Sequence, residues 1–229
     1  MRAMFRAAAV ITATTTLAIG LTACDVHVGT SPAKRTTSSS TPATTTQVDD
    51  VGQTTHQTIA DYLAELGVTD QKAEPGVDGA PELSIPTPDG WADAGDETPD
   101  YSVGAIVYRG PEVKTARYVP NVVAILSALP PGVDQDKVLS LARGELENLP
   151  EFSPFGPPTR DELDGFPALK IAGKYNREGM PAVIAQQTVV IPGRDHVYVL
   201  QLNATSAEAE SEILMTATDE IDRGTEIIT

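Results

Sequence analysis

With 229 residues, 32 acidic against 16 basic side chains and a net charge of −16, the chain has room for one ordinary core plus a tail. Nucleic acid, which is held through Lys and Arg on its phosphates, has little here to bind. Its single cysteine excludes an internal disulfide. The charge is split, because Arg2, Arg6, Lys34 and Arg35 precede Thr36 with Asp25 as their sole carboxylate, so the acidity belongs to the body. There it favours solubility and opposes contact with anionic lipid head groups.

The chain opens with Arg2 and Arg6, an uncharged run from Ala7 to Gly20 and small residues before Cys24, the order of a secretory signal. Leu21-Thr22-Ala23-Cys24 sets an aliphatic residue three places before a cysteine, as bacterial lipoprotein processing requires. The expectation is that the Cys24 thiol takes a diacylglyceryl group, residues 1–23 are removed and Cys24 becomes the N-terminus. A spanning helix needs about 20 apolar residues, and this run is shorter and diluted by Thr12, Thr14, Thr15 and Thr16. The expected location is the extracytoplasmic face of the cell membrane, held by acyl chains, with partial shedding as a further outcome.

Residues 24–57 read as the lipidated end and a Thr/Ser-rich linker, with too few large apolar side chains to offset the entropy of ordering. As a flexible coil its ends lie about 30 Å apart. Its composition would also suit O-glycosylation. The domain is expected over 58–229. Thr58 with Asp61 forms a capping-box variant, and Ile59, Tyr62, Leu63 and Leu66 recur at helical spacing before Gly67.

Pro86 and Pro88 make Leu83 to Trp91 extended and peripheral, with Trp91 as a core anchor. Strands are expected at 103–108 and 119–129, joined by a connection with Lys114 and Arg117. The unbroken Val122 to Leu126 implies cover on both faces. A helix from Asp134 or Asp136 runs through Leu149 to Pro150, and a Pro/Gly-rich loop spans 152–158. Three strands follow, from Leu163 or Phe166 to Tyr175, from Val183 to Ile191 and from His196 to Asn203, joined by hairpin-like turns as an antiparallel meander. Thr205 with Glu208 reads as the capping box of a last helix toward Gly224, its first turn acidic through Glu208, Glu210 and Glu212. The sum is an α+β domain, one antiparallel sheet packed by helices.

Residue types for catalysis are sparse. His27 and His56 lie in or beside the linker, and His196, at a strand start, has no evident nucleophile or orienting partner. No Gly-x-Ser-x-Gly elbow, phosphate loop or dinucleotide fingerprint occurs, and one Cys with one His in the body does not make a structural zinc site. Asp134, Asp136 and Glu145 mimic positions 1, 3 and 12 of a calcium loop. Val138 and Leu139 stand where that loop needs an oxygen ligand and a glycine, so a helix start is the better explanation. Asn203-Ala204-Thr205 has the form of a glycosylation acceptor and is read as strand end and helix cap.

Thr58-Ile59-Ala60-Asp61-Tyr62, Ile85-Pro86-Thr87-Pro88-Asp89-Gly90-Trp91, Gly104-Ala105-Ile106-Val107-Tyr108, Val123-Ala124-Ile125-Leu126-Ser127, Gly144 to Pro150, Thr188 to Pro192 and Val199 to Ala204 follow one another in an order that resembles the mycobacterial LpqN/LpqT lipoprotein family. The resemblance implies a Mog/PsbP-like fold, an antiparallel sheet sandwiched by helices. It also implies a place in envelope lipid biogenesis beside large membrane lipid transporters, and it brings no catalytic residues.

The expectation is a non-enzymatic lipoprotein without cofactor or metal that holds or hands over amphipathic lipid, such as a trehalose glycolipid or fatty-acyl ligand. The alternative is a protein adaptor for a membrane lipid transporter or, if shed, a host protein. A lipid cleft between sheet and helix would draw on Trp91, Tyr108, Phe152, Phe155, Phe166 and Tyr198.

Overall fold

The computed structural model describes residues 55–113 and 118–229. Cys24, His27, most of the Thr/Ser-rich tract, Lys114 and Arg117 lie outside the described residues. In chain order the regular elements are α1 (Ile59–Glu65), β1 (Gln71–Lys72), β2 (Glu82–Ser84), β3 (Trp91–Asp93), β4 (Gly104–Tyr108), β5 (Asn121–Leu129), α2 (Gln135–Leu141) and α3 (Gly144–Glu147). They continue with β6 (Ser153–Pro154), β7 (Thr159–Leu163), β8 (Phe166–Arg177), β9 (Met180–Pro192), β10 (Val197–Ala207), α4 (Ser211–Gly224) and β11 (Glu226–Ile228).

The main sheet has the order β3-β4-β5-β10-β9-β8-β6, with β1 added beside β5 and β7 beside β8, and its pairs are antiparallel. β2 and β11 form a separate two-stranded ribbon. The domain is α+β, as expected, and β8, β9 and β10 are the expected meander. Alternate residues along these strands point to opposite faces, and each face has its own core. On one, Ala168, Val189, Leu200 and Leu126 form a buried cross-strand row beneath Leu214, Ala217 and Ile221 of α4. On the other, Leu169, Val190 and Val199 pack with Ile59 and Leu63 of α1 and Val138 and Leu139 of α2.

Local chemistry accounts for the helix starts. The Thr58 hydroxyl accepts from the Asp61 amide at 3.1 Å, and the Asp61 carboxylate accepts from the Thr58 amide at 2.9 Å and its hydroxyl at 2.8 Å. Those bonds hold the Asp61 carboxyl below its ordinary range, the backbone donor first. Asp134 caps α2 through the Lys137 amide at 3.0 Å. Glu145 accepts from Gln186 at 3.2 Å and Gln201 at 3.0 Å, pinning α3 to the sheet. The calcium-loop mimic is thus a cap and a brace.

Four expectations need correction. The helix from Asp134 to Pro150 is two helices separated by a turn at Ala142–Arg143; Gly144, which opens the second, passes so close to the segment before α1 that a Cβ there would lie 2.1 Å from the Gln57 carbonyl oxygen. The stretch Thr159–Leu163 is a strand, hidden in the sequence because four of its five residues are exposed at a sheet edge. Thr205 lies inside β10 and does not cap the last helix. It is the cross-strand partner of Asn121, its hydroxyl meets the Tyr118 hydroxyl at 2.6 Å, and the ladder outcompetes the cap. Consequently α4 begins only at Ser211, and of the three glutamates Glu212 alone stands in its first turn. Finally β5 is fully covered on one face only: Val122, Ala124 and Leu126 are buried, whereas Val123 and Ile125 are half-buried, since α2 packs over β8 and β9.

Candidate functional site

Beside the row that α4 covers, the next-but-one row of the same sheet face is built from small side chains. Ala172 pairs with Ala185, Ala185 with Ala204 and Ala204 with Val122, across β8, β9, β10 and β5. Larger residues at these positions would fill the space up to the helix. With alanines it stays open as a groove of about 350 Å³. One wall is α4, whose Met215, Thr218, Asp219 and Asp222 follow helical spacing next to the buried stripe. The other wall is Phe155, Gly156, Pro157 and Thr159.

The second wall exists because β6 and β7 pair with successive parts of β8, so residues 155–158 swing outward past Ala172. The Phe155 amide still donates to the Ala172 carbonyl at 2.9 Å. On opposite rims Phe155 is 53% exposed and Met215 38%, two large apolar side chains facing solvent across an apolar floor.

One end of the groove is polar. The Lys170 ammonium lies between Asp161, at 2.6 Å, and Asp222, at 2.8 Å, while the Gln187 amide donates to the other Asp222 oxygen at 2.9 Å. Burial works against the Lys170 charge, but the two carboxylates outweigh it and raise its pKa. Asp161 is lowered, first by Lys170 and then by the Glu162 amide. With Asp219 alongside, carboxylates outnumber the ammonium. Such an end suits neutral hydroxyl groups, which donate to carboxylates and accept from an amide, and disfavours a phosphate.

Of the six aromatic candidates the structure places Phe155 on this groove. Trp91 is buried, as the core-anchor reading requires, and meets Tyr108 edge to face at 5.7 Å. That pair lines a separate cleft of about 310 Å³ with Asp89, Glu212 and Glu220. Phe152 lies over Gly173, where a Cβ would come within 2.7 Å of its ring. Phe166 packs against the α4-side core. Tyr198 is buried against Gly193, with the His196 ring 6.0 Å away. Among the described residues no three His, Cys, Asp or Glu side chains are grouped to hold a metal ion. Nor is any described helix long and apolar enough to cross a membrane.

Sequence reasoning missed the alanine floor, Lys170, Gln187, Met215 and Asp222. Ala172, Ala185 and Ala204 are three among several alanines in these strands, and the register that aligns them into one row is not visible in one dimension.

The model of the family described as probable lipoprotein LpqN matches residues 55–228. The chain belongs to the LpqN lipoprotein family. Lipoprotein LpqN of Mycobacterium tuberculosis (strain ATCC 25618 / H37Rv) is 39% identical over 170 residues, covering 74% of this chain and 73% of that protein. The crystal structure of LpqN, described as involved in cell envelope biogenesis of M. tuberculosis, superposes with a TM-score of 0.70 at 38% identity. It covers 76% of this chain and 99% of the crystallised one. Mog1 and cyanobacterial PsbP are also matched, with TM-scores of 0.41 and 0.38 at 12% and 11% identity. The whole groove lies within the span shared with LpqN. The crystallised LpqN chain, matched over 99% of its length to 76% of this chain, is folded as that portion alone, and Val51–Thr229 is a compact unit here.

Proposed function

We propose that this chain is a mycobacterial envelope lipoprotein, anchored through Cys24 at the outer side of the cytoplasmic membrane, that holds an amphipathic lipid in the groove between α4 and the sheet. The observation that carries the proposal is the alanine row Ala172-Ala185-Ala204 under the exposed rims Phe155 and Met215. It is an apolar trough that the fold leaves unfilled and that an acyl chain would fill. The carboxylate-rich end at Lys170, Asp161, Asp222 and Gln187 fits the uncharged hydroxyls of a sugar head group, such as that of a trehalose glycolipid. Membership of the LpqN family and the involvement of LpqN in envelope biogenesis support the same setting.

The groove offers hydrogen-bonding and apolar surface but no evident nucleophile-base pair, so the proposed role is holding and handover. A photoreactive fatty-acyl glycolipid, irradiated with purified Val51–Thr229, should label peptides containing Phe155 and Met215. Labelling confined to other peptides, or none above that given by a detergent-denatured sample, would contradict the groove assignment.

A further inference from the structure

On the opposite side of Pro157 from the groove lies a second cleft, of about 610 Å³, whose charge is reversed. It is lined by His56, Lys137, Arg143 and Arg160, with Glu147 as its one carboxylate. By contrast, the groove sets Lys170 against Asp219 and Asp222, and the cleft beside Trp91 presents only acidic charges. In a chain of net charge −16, three Lys or Arg side chains converging on one concavity is the reverse of its general surface.

The cations there are only partly committed. Glu147 approaches the Arg143 guanidinium at 3.5 Å, a long contact, and the His56 ring at 3.1 Å. Arg160 touches Asp136 at 3.4 Å, a pair exposed on both sides and therefore weak and exchangeable. Lys137 has no carboxylate within ion-pair distance among the described residues. The acidity of the distant surface is screened beyond about 8 Å at physiological ionic strength, so the cleft's own cations govern what approaches it.

The cleft also stands where the N-terminal segment joins the domain. The Asn148 side chain clamps the His56 backbone, accepting from its amide and donating to its carbonyl, both at 2.8 Å.

We propose that this cleft binds a phosphate group, with Lys137, Arg143 and Arg160 closing on it from α2, from the turn after it and from β7. Guanidinium forks and an ammonium with no carboxylate partner among the described residues match the oxygens of a phosphate ester, and the cleft has room for the ester's substituent. The ester is carried either by an anionic phospholipid or by a soluble compound. The proposal is independent of the groove, since neither Lys137 nor Arg160 lines it.

The test uses Val51–Thr229 in two arms: flotation with phosphatidylcholine vesicles with or without phosphatidylglycerol, and calorimetric titration with glycerol phosphate and inorganic phosphate. Binding to phosphatidylglycerol vesicles alone, weakened about 30-fold by Lys137→Gln with Arg160→Gln, identifies a lipid head group. Saturable binding of the soluble phosphates with the same variant dependence, and no flotation, identifies a soluble ester. The control pair Arg194→Gln with Arg223→Gln removes equal charge elsewhere and should leave either affinity unchanged. Absence of binding in both arms, or equal loss in both variant pairs, overturns the proposal.

Discussion

Ala172 of β8 and Ala185 of β9 face each other across the strand pair directly under the groove, and both are only half-buried although they sit in the middle of the sheet. The double substitution Ala172→Leu with Ala185→Leu points new side chains into open volume. Stability should change by about 1 kcal/mol or less, because no packed neighbour is displaced. Affinity for a fluorescent acyl probe should fall at least about tenfold. Displacement titrations beside thermal melts separate the two effects.

Lys170, Asp161 and Asp222 predict a stability profile that falls at both extremes of pH. Asp161 has its pKa lowered by Lys170 from an ordinary 3.8, so its contribution is present above that value and fades as the pH drops through the lower, folded one. Lys170 is raised from 10.5, so its contribution is complete below that value and disappears as the pH climbs through the raised one. Between these limits the cluster's contribution is flat. Lys170→Met should remove the alkaline decline and shrink the acid one, as read from urea midpoints across pH.

Gly144 and Asn148 together fix the root of the N-terminal segment. Gly144→Ala places a Cβ against the Gln57 carbonyl, and displacing that backbone should cost about 1–3 kcal/mol despite the better helix propensity of alanine. Asn148→Ala removes both bonds to the His56 backbone. It should lower the melting temperature less while making the chain before Thr58 more sensitive to protease. Equal proteolysis of wild type and Asn148→Ala would show that the clamp does not hold.

Cys24 is expected to carry the anchor. Cys24→Ser should abolish metabolic labelling by palmitate and move the protein from the membrane fraction to the soluble one. An unlabelled wild-type chain, or a Ser variant that still sediments with membranes, would remove the basis for anchorage through this residue.

Much of the fold was legible because short-range chemistry wrote it. The Thr58–Asp61 box, the Asp134 cap, the β-branched run Thr188 to Ile191 in β9 and the apolar start of β10 each announce themselves within a few residues. What misled were places where a distant partner decided the outcome. Thr205 has the sequence context of a cap, yet Asn121 and Tyr118, far away along the chain, keep it in the ladder. Residue 144 is a glycine because Gln57 leaves no room for a side chain. Similarly, large aromatics drew attention as ligand-lining candidates, but burial for area is what Trp91 and Tyr198 are used for. The groove instead rests on absent bulk at Ala172, Ala185 and Ala204, which only strand register brings into one row.

The most direct measurement for the lipid-holding role is native mass spectrometry of Val51–Thr229 secreted from a mycobacterial host, beside its Ala172→Leu/Ala185→Leu variant. The account predicts an adduct of one lipid per chain in the wild type, released on denaturation, and its loss from the variant. A wild-type chain that carries no adduct and takes up no added glycolipid, or a variant that retains the same adduct, would contradict it.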